Sequence, residues 1–251
     1  MPLTDRVVLV TGASSGIGRA IALASAHDGA DLIITYWHER AKAESVADAI
    51  RAINRRVCVL PLDLADSASI IRLASSAKEA FGRIDAWINN AGADILTGAA
   101  SNAPLLDKLD RLLTVDLKGT ILASWAAADL MGAQETGGVI INMSWDHVLA
   151  GMEGKNPEMF SAVKGGIMTF SKSLARSVAP KVRVNILAPG WIDTAFSGGL
   201  DTARRQAVID STPLHRYGTP DDVAGAAVYL ASPAAAFLTG QMILINGGVV
   251  M

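Results

Sequence analysis

Three glycines, Gly12, Gly16 and Gly18, follow the apolar run Val7-Val8-Leu9-Val10 and precede the helix-forming run Arg19-Ala20-Ile21-Ala22-Leu23-Ala24. A strand that enters a glycine turn and opens a helix can hold the phosphates of a dinucleotide. Gly12 permits the sharp turn, Gly16 lets backbone N–H groups approach a pyrophosphate, and Gly18 lets the helix pack on the strand. The helix start adds donors and the positive end of its dipole. Glycines at this spacing also make ordinary strand-to-helix turns, so it is the flanking strand and helix that tie them to a nucleotide. Metal chemistry has no such support: the four histidines are scattered and Cys58 is the single cysteine, with no ligand spacing between them. Cys58 falls in the predicted strand Val57-Cys58-Val59-Leu60 and reads as a small buried hydrophobe, not a reactive thiol.

The elements around the turn alternate regularly. Ala30 to Tyr36 reads as a buried strand, and Glu39 to Asn54 as a helix with Val46, Ala49, Ile50 and Ile53 on one face. A third strand ends at Leu62-Asp63. The next helix carries Ile70, Leu73, Ala74, Ala77 and Phe81 on one stripe, and Ile84 to Ile88 runs as a strand into Asn89-Asn90-Ala91-Gly92. A long helical region over Leu105 to Met131, a strand Val139 to Met143, a helix Pro157 to Val178 and a strand Val182 to Leu187 continue the rhythm. Thr219-Pro220-Asp221-Asp222 opens a further helix with a cap, a first-turn proline and two acids, and Gln241 to Ile245 closes the sheet. Near-continuous apolar strands between amphipathic helices specify a parallel sheet covered on both faces. The glycine turn, Asn90, Ser144 and Pro189 all follow predicted strands, so they share the ligand-binding edge of such a sheet.

The chain has 251 residues, 51% hydrophobic and 18% charged, with a net charge of −2. That composition fits one packed domain over residues 1–251 and offers no basic stripe for nucleic acid. Met1 to Asp5 lacks a basic leader, and apolar runs such as Thr120 to Met131 are broken before a membrane span is reached, so a cytoplasmic protein with no membrane partner is expected. Trp191 to Gly218 reads as irregular, with Gly198-Gly199 as a hinge and Trp191, Phe196 and Leu200 as apolar content. It is either a substrate lid or a surface excursion.

Taken in order, Thr11-Gly12-Ala13-Ser14-Ser15-Gly16-Ile17-Gly18, Asp63, Asn89-Asn90-Ala91-Gly92, Lys164, Pro189-Gly190 and Thr194 resemble the short-chain dehydrogenase/reductase family over essentially the whole chain. The resemblance implies a Rossmann-type, doubly wound parallel sheet of seven strands in a three-layer αβα sandwich, bound NAD or NADP, and a homo-oligomer, a tetramer or a dimer. It implies that Asp63 faces the adenine with Leu64 beside it, that Asn90, Ala91 and Gly92 line the nucleotide cleft, and that Lys164 holds the nicotinamide ribose. Pro189, Gly190, Ile192 and Thr194 would border the nicotinamide, and Ser14, Ser15 and Ile17 would join the glycines at the phosphates. After the second strand, Tyr36-Trp37-His38-Glu39-Arg40 places no acid directly at the strand end. With His38 and Arg40 close by, and Trp37 beside them, NADP is favoured over NAD.

The catalytic positions depart from that family. Its proton-handling Tyr stands four residues before the Lys, where this chain has Phe160, on the same helix face as Lys164 and without an exchangeable proton. Trp145 stands at the second, catalytic Ser of the family's pair, and Ser144 matches the first. Asp116 replaces the proton-relay Asn. Phe160 also fits an apolar stripe with Val163, Ile167, Phe170 and Leu174, and Asp116 fits a buried group bonding backbone. Replacement groups lie just past Ser144: His147 is an acid or base suited to neutral pH, Asp146 adjoins it, and Asp116 can orient it or a water. The alternative for Asp146-His147 is a polar surface turn. Gly165 and Gly166, costly inside a helix, mark a close approach, between subunits or within one.

Two main functions follow from this pattern. One is an NAD(P)-dependent oxidoreductase of an alcohol or carbonyl substrate, a small molecule, with a non-standard catalytic site. The other is a nucleotide-binding homologue that has lost catalysis and serves as a sensor or inactive partner subunit. Non-redox acid/base chemistry is a third, weaker possibility.

Overall fold

Residues 2–194 and 201–251 are described by a computed structural model. Strands β1 (Val7–Val10), β2 (Asp31–Tyr36), β3 (Val57–Pro61), β4 (Ala86–Asn89), β5 (Gly138–Met143), β6 (Val182–Pro189) and β7 (Met242–Ile245) form one sheet in the order β3-β2-β1-β4-β5-β6-β7. Every pairing is parallel, as the apolar strands require. The order reverses between β1 and β4, where Val8 pairs with Leu32 on one side and Ala86 on the other.

Successive residues of a strand feed opposite layers. Val8, Val10, Leu32, Ile34, Ile88 and Ile141 pack under helices α1 (Gly16–His27), α2 (Arg40–Ala52) and α8 (Pro220–Ala231). Val7, Leu9, Ile33, Trp87 and Ile140 pack under α3 (Ser67–Phe81), α5 (Gly119–Gly132) and α6 (Lys155–Val178). The result is the three-layer αβα sandwich expected from the sequence. Inside the second layer, Asn89 Nδ2 donates to Asn142 Oδ1 at 2.8 Å and Asn142 Nδ2 to Ser171 Oγ at 2.9 Å. These buried bonds tie β4, β5 and α6 together, and such fully satisfied networks rigidify a core.

Two expectations are corrected. The continuous helix over Leu105 to Met131 is divided into α4 (Leu105–Arg111), a π-helical stretch Leu112–Lys118, and α5. The wider turn accommodates Asp116, whose carboxylate leaves the helix surface for the cleft; π-turns inside α-helices recur at functional sites. Trp191 to Gly218 is not wholly irregular: Ile192 bridges Gly218, and α7 spans Thr202–Ser211. The hinge Gly198-Gly199, with Phe196 and Leu200, lies outside the described residues. Cys58 is half-buried in β3 and burial pushes its thiol up, which fits an unreactive group. Among the described residues no helix is long and apolar enough to cross a membrane.

The start of α8 holds the cap read at Thr219, which Asp222 completes into a capping box. Asp222 N donates to Thr219 Oγ1 at 3.3 Å, and Thr219 N donates to Asp222 Oδ2 at 2.6 Å. The Arg216 guanidinium, with the Thr219 N–H, holds the Asp222 carboxyl well below the usual carboxylate range. Its contribution is therefore present in full above about pH 4 and declines as pH falls further. Thr219→Ala should cost about 1 kcal/mol, read as a lower urea midpoint with an unchanged slope; a wild-type midpoint would refute the cap's role.

Candidate active site and cofactor cleft

At the C-terminal ends of β1 and β4 the chain makes a compact knot. Thr11 Oγ1 accepts the N–H groups of Asn90 and Ala91 at 2.9 and 3.0 Å. Asn90 Nδ2 donates back to the carbonyls of Thr11 and Gly12 at 3.0 and 3.3 Å, and Gly12 N donates to Thr35 Oγ1 at 3.1 Å. Gly12 itself has φ +65°, a conformation that glycine adopts without a Cβ clash. A Cβ on Gly18 would sit within contact of the Gly12 carbonyl and 2.5 Å from Asn90 Nδ2, so α1 lies against the turn only because Gly18 has none.

The turn fits an anionic ligand. Ser15, with φ −159°, begins α1 but makes no side-chain cap bond, which leaves first-turn N–H groups for phosphate oxygens. Ser14, Ser15 and Ile17 lie along this start. Thr194, arriving after β6, stands near Gly16: a Cβ there would be 3.7 Å from Thr194 Cγ2.

On the β2 side, Trp37 is 51% exposed and its ring lies 3.6 Å from that of His38, centroid to centroid. The Arg111 guanidinium of α4 sits 5.5 Å from the Trp37 ring centroid. Arg111 was not among the sequence candidates, because it lies 74 positions from Trp37 in the chain (111 − 37). Arg40, which was, turns to Glu44 at 3.7 Å on the surface of α2. Arg111 also faces Asp94: burial works against that carboxylate, but the Thr97 hydroxyl, the N–H groups of Leu96 and Thr97, and Arg111 hold it below the usual range. Asp63 Oδ1 accepts Ala65 N at 2.8 Å, which shapes the turn after β3. Leu64 is buried against Gly119.

The β4–β6 side carries the reactive groups. Asp116 and Lys164, 1% and 9% exposed at the side chain, form an ion pair of 2.9 Å between Oδ2 and Nζ. Asp116 Oδ1 accepts Ala93 N at 2.7 Å, and Gly92 leaves room for the carboxylate, since a Cβ there would be 2.9 Å from Oδ2. Asp116 therefore bonds backbone as one reading expected, and its other oxygen meets Lys164, where the other reading had it orienting His147 or a water. Ser144 is a different case. Its hydroxyl donates to the Lys164 carbonyl at 2.9 Å, so it is spent on fastening β5 to α6.

Phe160 lies under Lys164, whose Nζ is 5.2 Å from the ring centroid, and Trp145 meets Phe160 edge-on at 5.3 Å. Trp145 in turn stacks on His147 at 4.9 Å. Asp146 and His147 do not form a surface turn. Asp146 is fully buried; its Oδ1 accepts His147 N at 2.8 Å and contacts His147 Nδ1 at 2.7 Å. Its Oδ2 accepts Asn246 Nδ2 at 3.2 Å and sits against Gly190, where a Cβ would be 3.0 Å away. Buried Pro189 ends β6, and Gly190 and buried Ile192 follow it. With Nδ1 held by a carboxylate, the His147 ring presents Nε2 on its opposite edge, the arrangement that fixes an imidazole's tautomer for proton transfer. Asn246 had no signal short of three-dimensional contact. Of the paired glycines, Gly166 meets Leu117 of the same chain at 3.1 Å from a built Cβ, while Gly165 faces open space.

Known proteins share this fold and sequence pattern. A family model described as enoyl-(acyl carrier protein) reductase matches residues 12–250. The 3-oxoacyl-[acyl-carrier-protein] reductase of Synechocystis is 36% identical, with 99% of this chain and 98% of that protein covered. The L-rhamnose 1-dehydrogenase (NAD(P)(+)) of a Sphingomonas species is 35% identical over 98% of this chain and 96% of its own. A short-chain dehydrogenase of Burkholderia cenocepacia, solved in complex with NADP, superposes with a TM-score of 0.89 at 32% identity, covering 99% of each chain.

Gly18→Ala should destabilise the fold by roughly 1–3 kcal/mol, the usual cost of overpacking, because neither the Gly12 carbonyl nor Asn90 has room to retreat. Urea unfolding checks this, and a loss under 0.5 kcal/mol would contradict the close packing of turn and helix.

Proposed function

The chain belongs to the short-chain dehydrogenase/reductase family and is an oxidoreductase of that type, and from this premise we propose that His147, oriented by Asp146, handles the proton that the family's Tyr would handle. The observation that carries the reading is the fully buried Asp146 carboxylate fixed at 2.7 Å on His147 Nδ1. The dyad sits at the ends of β5 and β6, on the side of the reversal point opposite the Trp37 cluster. In a dinucleotide fold the acid or base that reads the adenosine ribose stands after the second strand. The β4–β6 side is then the nicotinamide side.

A bound nicotinamide supplies or accepts hydride at the substrate carbon. In carbonyl reduction His147 Nε2–H donates its proton to the developing alkoxide; in alcohol oxidation neutral Nε2 takes the hydroxyl proton. Asp146 holds the ring in place. Lys164 has three donors, of which Asp116 uses one, leaving others for ribose hydroxyls. Trp145 and Phe160 form an apolar wall suited to a small or moderately apolar alcohol or carbonyl compound. His147→Ala should lower turnover about 10²- to 10⁴-fold with far smaller change in cofactor affinity, and Asp146→Asn should fall in the same direction. Unimpaired turnover in His147→Ala would sink this assignment. A wild type inactive toward a broad carbonyl and alcohol panel, gaining turnover in Trp145→Ser/Phe160→Tyr, would instead support a nucleotide-binding protein that has lost catalysis.

For the cofactor we propose NADP over NAD. Support comes from the exposed Trp37–His38 stack with Arg111 beside it and from the NADP held by the Burkholderia relative. Arg111→Ala should weaken NADPH at least fivefold while changing NADH less than twofold, measured by fluorescence titration; equal losses for both would refute a role in reading the 2′-phosphate. A homo-oligomer, tetramer or dimer, is proposed from the half-exposed Trp125 on α5, which meets Phe170 of α6 at 6.2 Å.

A further inference from the structure

The nicotinamide side of the cleft carries two buried carboxylates, Asp116 and Asp146, 1% and 0% exposed, and one buried ammonium, Lys164. Asp116 cancels the lysine charge at 2.9 Å, and Asp146 is balanced only to the extent that His147 is protonated. Asp116 is also held in place: the Ala93 N–H fixes one oxygen at 2.7 Å, and Gly92 lets the other approach the cleft floor. A nicotinamide ring is cationic when oxidised and neutral when reduced, so the charge of its surroundings discriminates the two states.

We propose that Asp116, by neutralising Lys164 inside the cleft, biases the bound cofactor toward its oxidised form. The inference rests on the cofactor reading above. Its functional consequence is directional. Stabilising the oxidised ring makes the bound reduced cofactor a stronger hydride donor, so hydride transfer to a carbonyl carbon, with the proton delivered to its oxygen from His147, is pulled toward the alcohol. Departure of the oxidised cofactor then becomes the slow step, as product release is in many enzymes. A unit charge acting through an effective dielectric of about 20 biases such an equilibrium on the order of tenfold within ~10 Å.

The test is a pair of titrations, oxidised and reduced NADP, on wild type, Asp116→Asn and Lys164→Gln, read by tryptophan quenching and by calorimetry without any substrate. The readout is the ratio of the two dissociation constants. Asp116→Asn should move it about tenfold toward the reduced form, and Lys164→Gln should move it the other way. If Asp116→Asn does not fold, the Lys164→Gln shift decides alone. A ratio that stays within twofold of wild type in the folded variants, or moves in the reverse sense, overturns the inference while leaving cofactor binding intact. Failure of wild type to bind either form overturns the cofactor reading and this inference with it.

Discussion

The cleft exists because β1 and β4 are fastened together at the point where the strand order turns back on itself. One threonine does most of the fastening: Thr11 takes two backbone N–H groups from the Asn90-Ala91 turn, and Asn90 returns bonds to the Thr11 and Gly12 carbonyls. A parallel sheet sends every βα connection to the same edge, so the Trp37 and Asp63 turns after β2 and β3 and the groups after β4, β5 and β6 diverge from this seam. Loosening it would move the glycine turn relative to Gly92 and Ala93, and with them the backbone N–H on which Asp116 depends.

The rings packed beside Lys164 set the physics of this end of the cleft. Phe160, with Trp145 edge-on against it, presents ring surface beside Lys164, which lowers local polarity there. A buried ammonium in such surroundings needs a partner, because breaking a buried ion pair on one side leaves an uncompensated charge. Asp116 is that partner, where a neutral amide would leave the charge on the lysine. Asp116 and Phe160 are therefore consistent with each other: an apolar wall and a neutralised cation belong to one site.

Much of the fold was legible because period and polarity agree. The apolar runs at Val7 to Val10, Ala30 to Tyr36 and Val139 to Met143, alternating with amphipathic helices, specify a two-faced parallel sheet, and the sheet edge then places Gly12, Asn90, Ser144 and Pro189 together. The π-helical stretch around Asp116 was not legible, since a helix with one wider turn has nearly the same apolar pattern as a regular one. Arg111 and Asn246 were missed for a different reason: each meets its partner across tens of residues of chain, where local spacing carries no information. Ser144 shows the limit of matching by position, because its hydroxyl bonds a carbonyl of α6 instead of facing the cleft. Trp145 to His147 needed the third dimension as well. Only the burial of Asp146 distinguishes a held imidazole from a solvated turn.

The bond from Asn246 to Asp146 spans 100 positions of sequence and bears on how the protein comes into being. The seam between β1 and β4 and the glycine turn use residues up to position 91, so a nascent chain has all the pieces of this corner long before residue 246 is made. The Asp146–His147 pair is different. Its second carboxylate oxygen acquires its partner only at residue 246, and the Asn246 amide is itself steadied by the Val250 carbonyl. During synthesis the chain passes through a long interval in which the glycine-turn corner can exist while Asp146 still lacks the Asn246 amide.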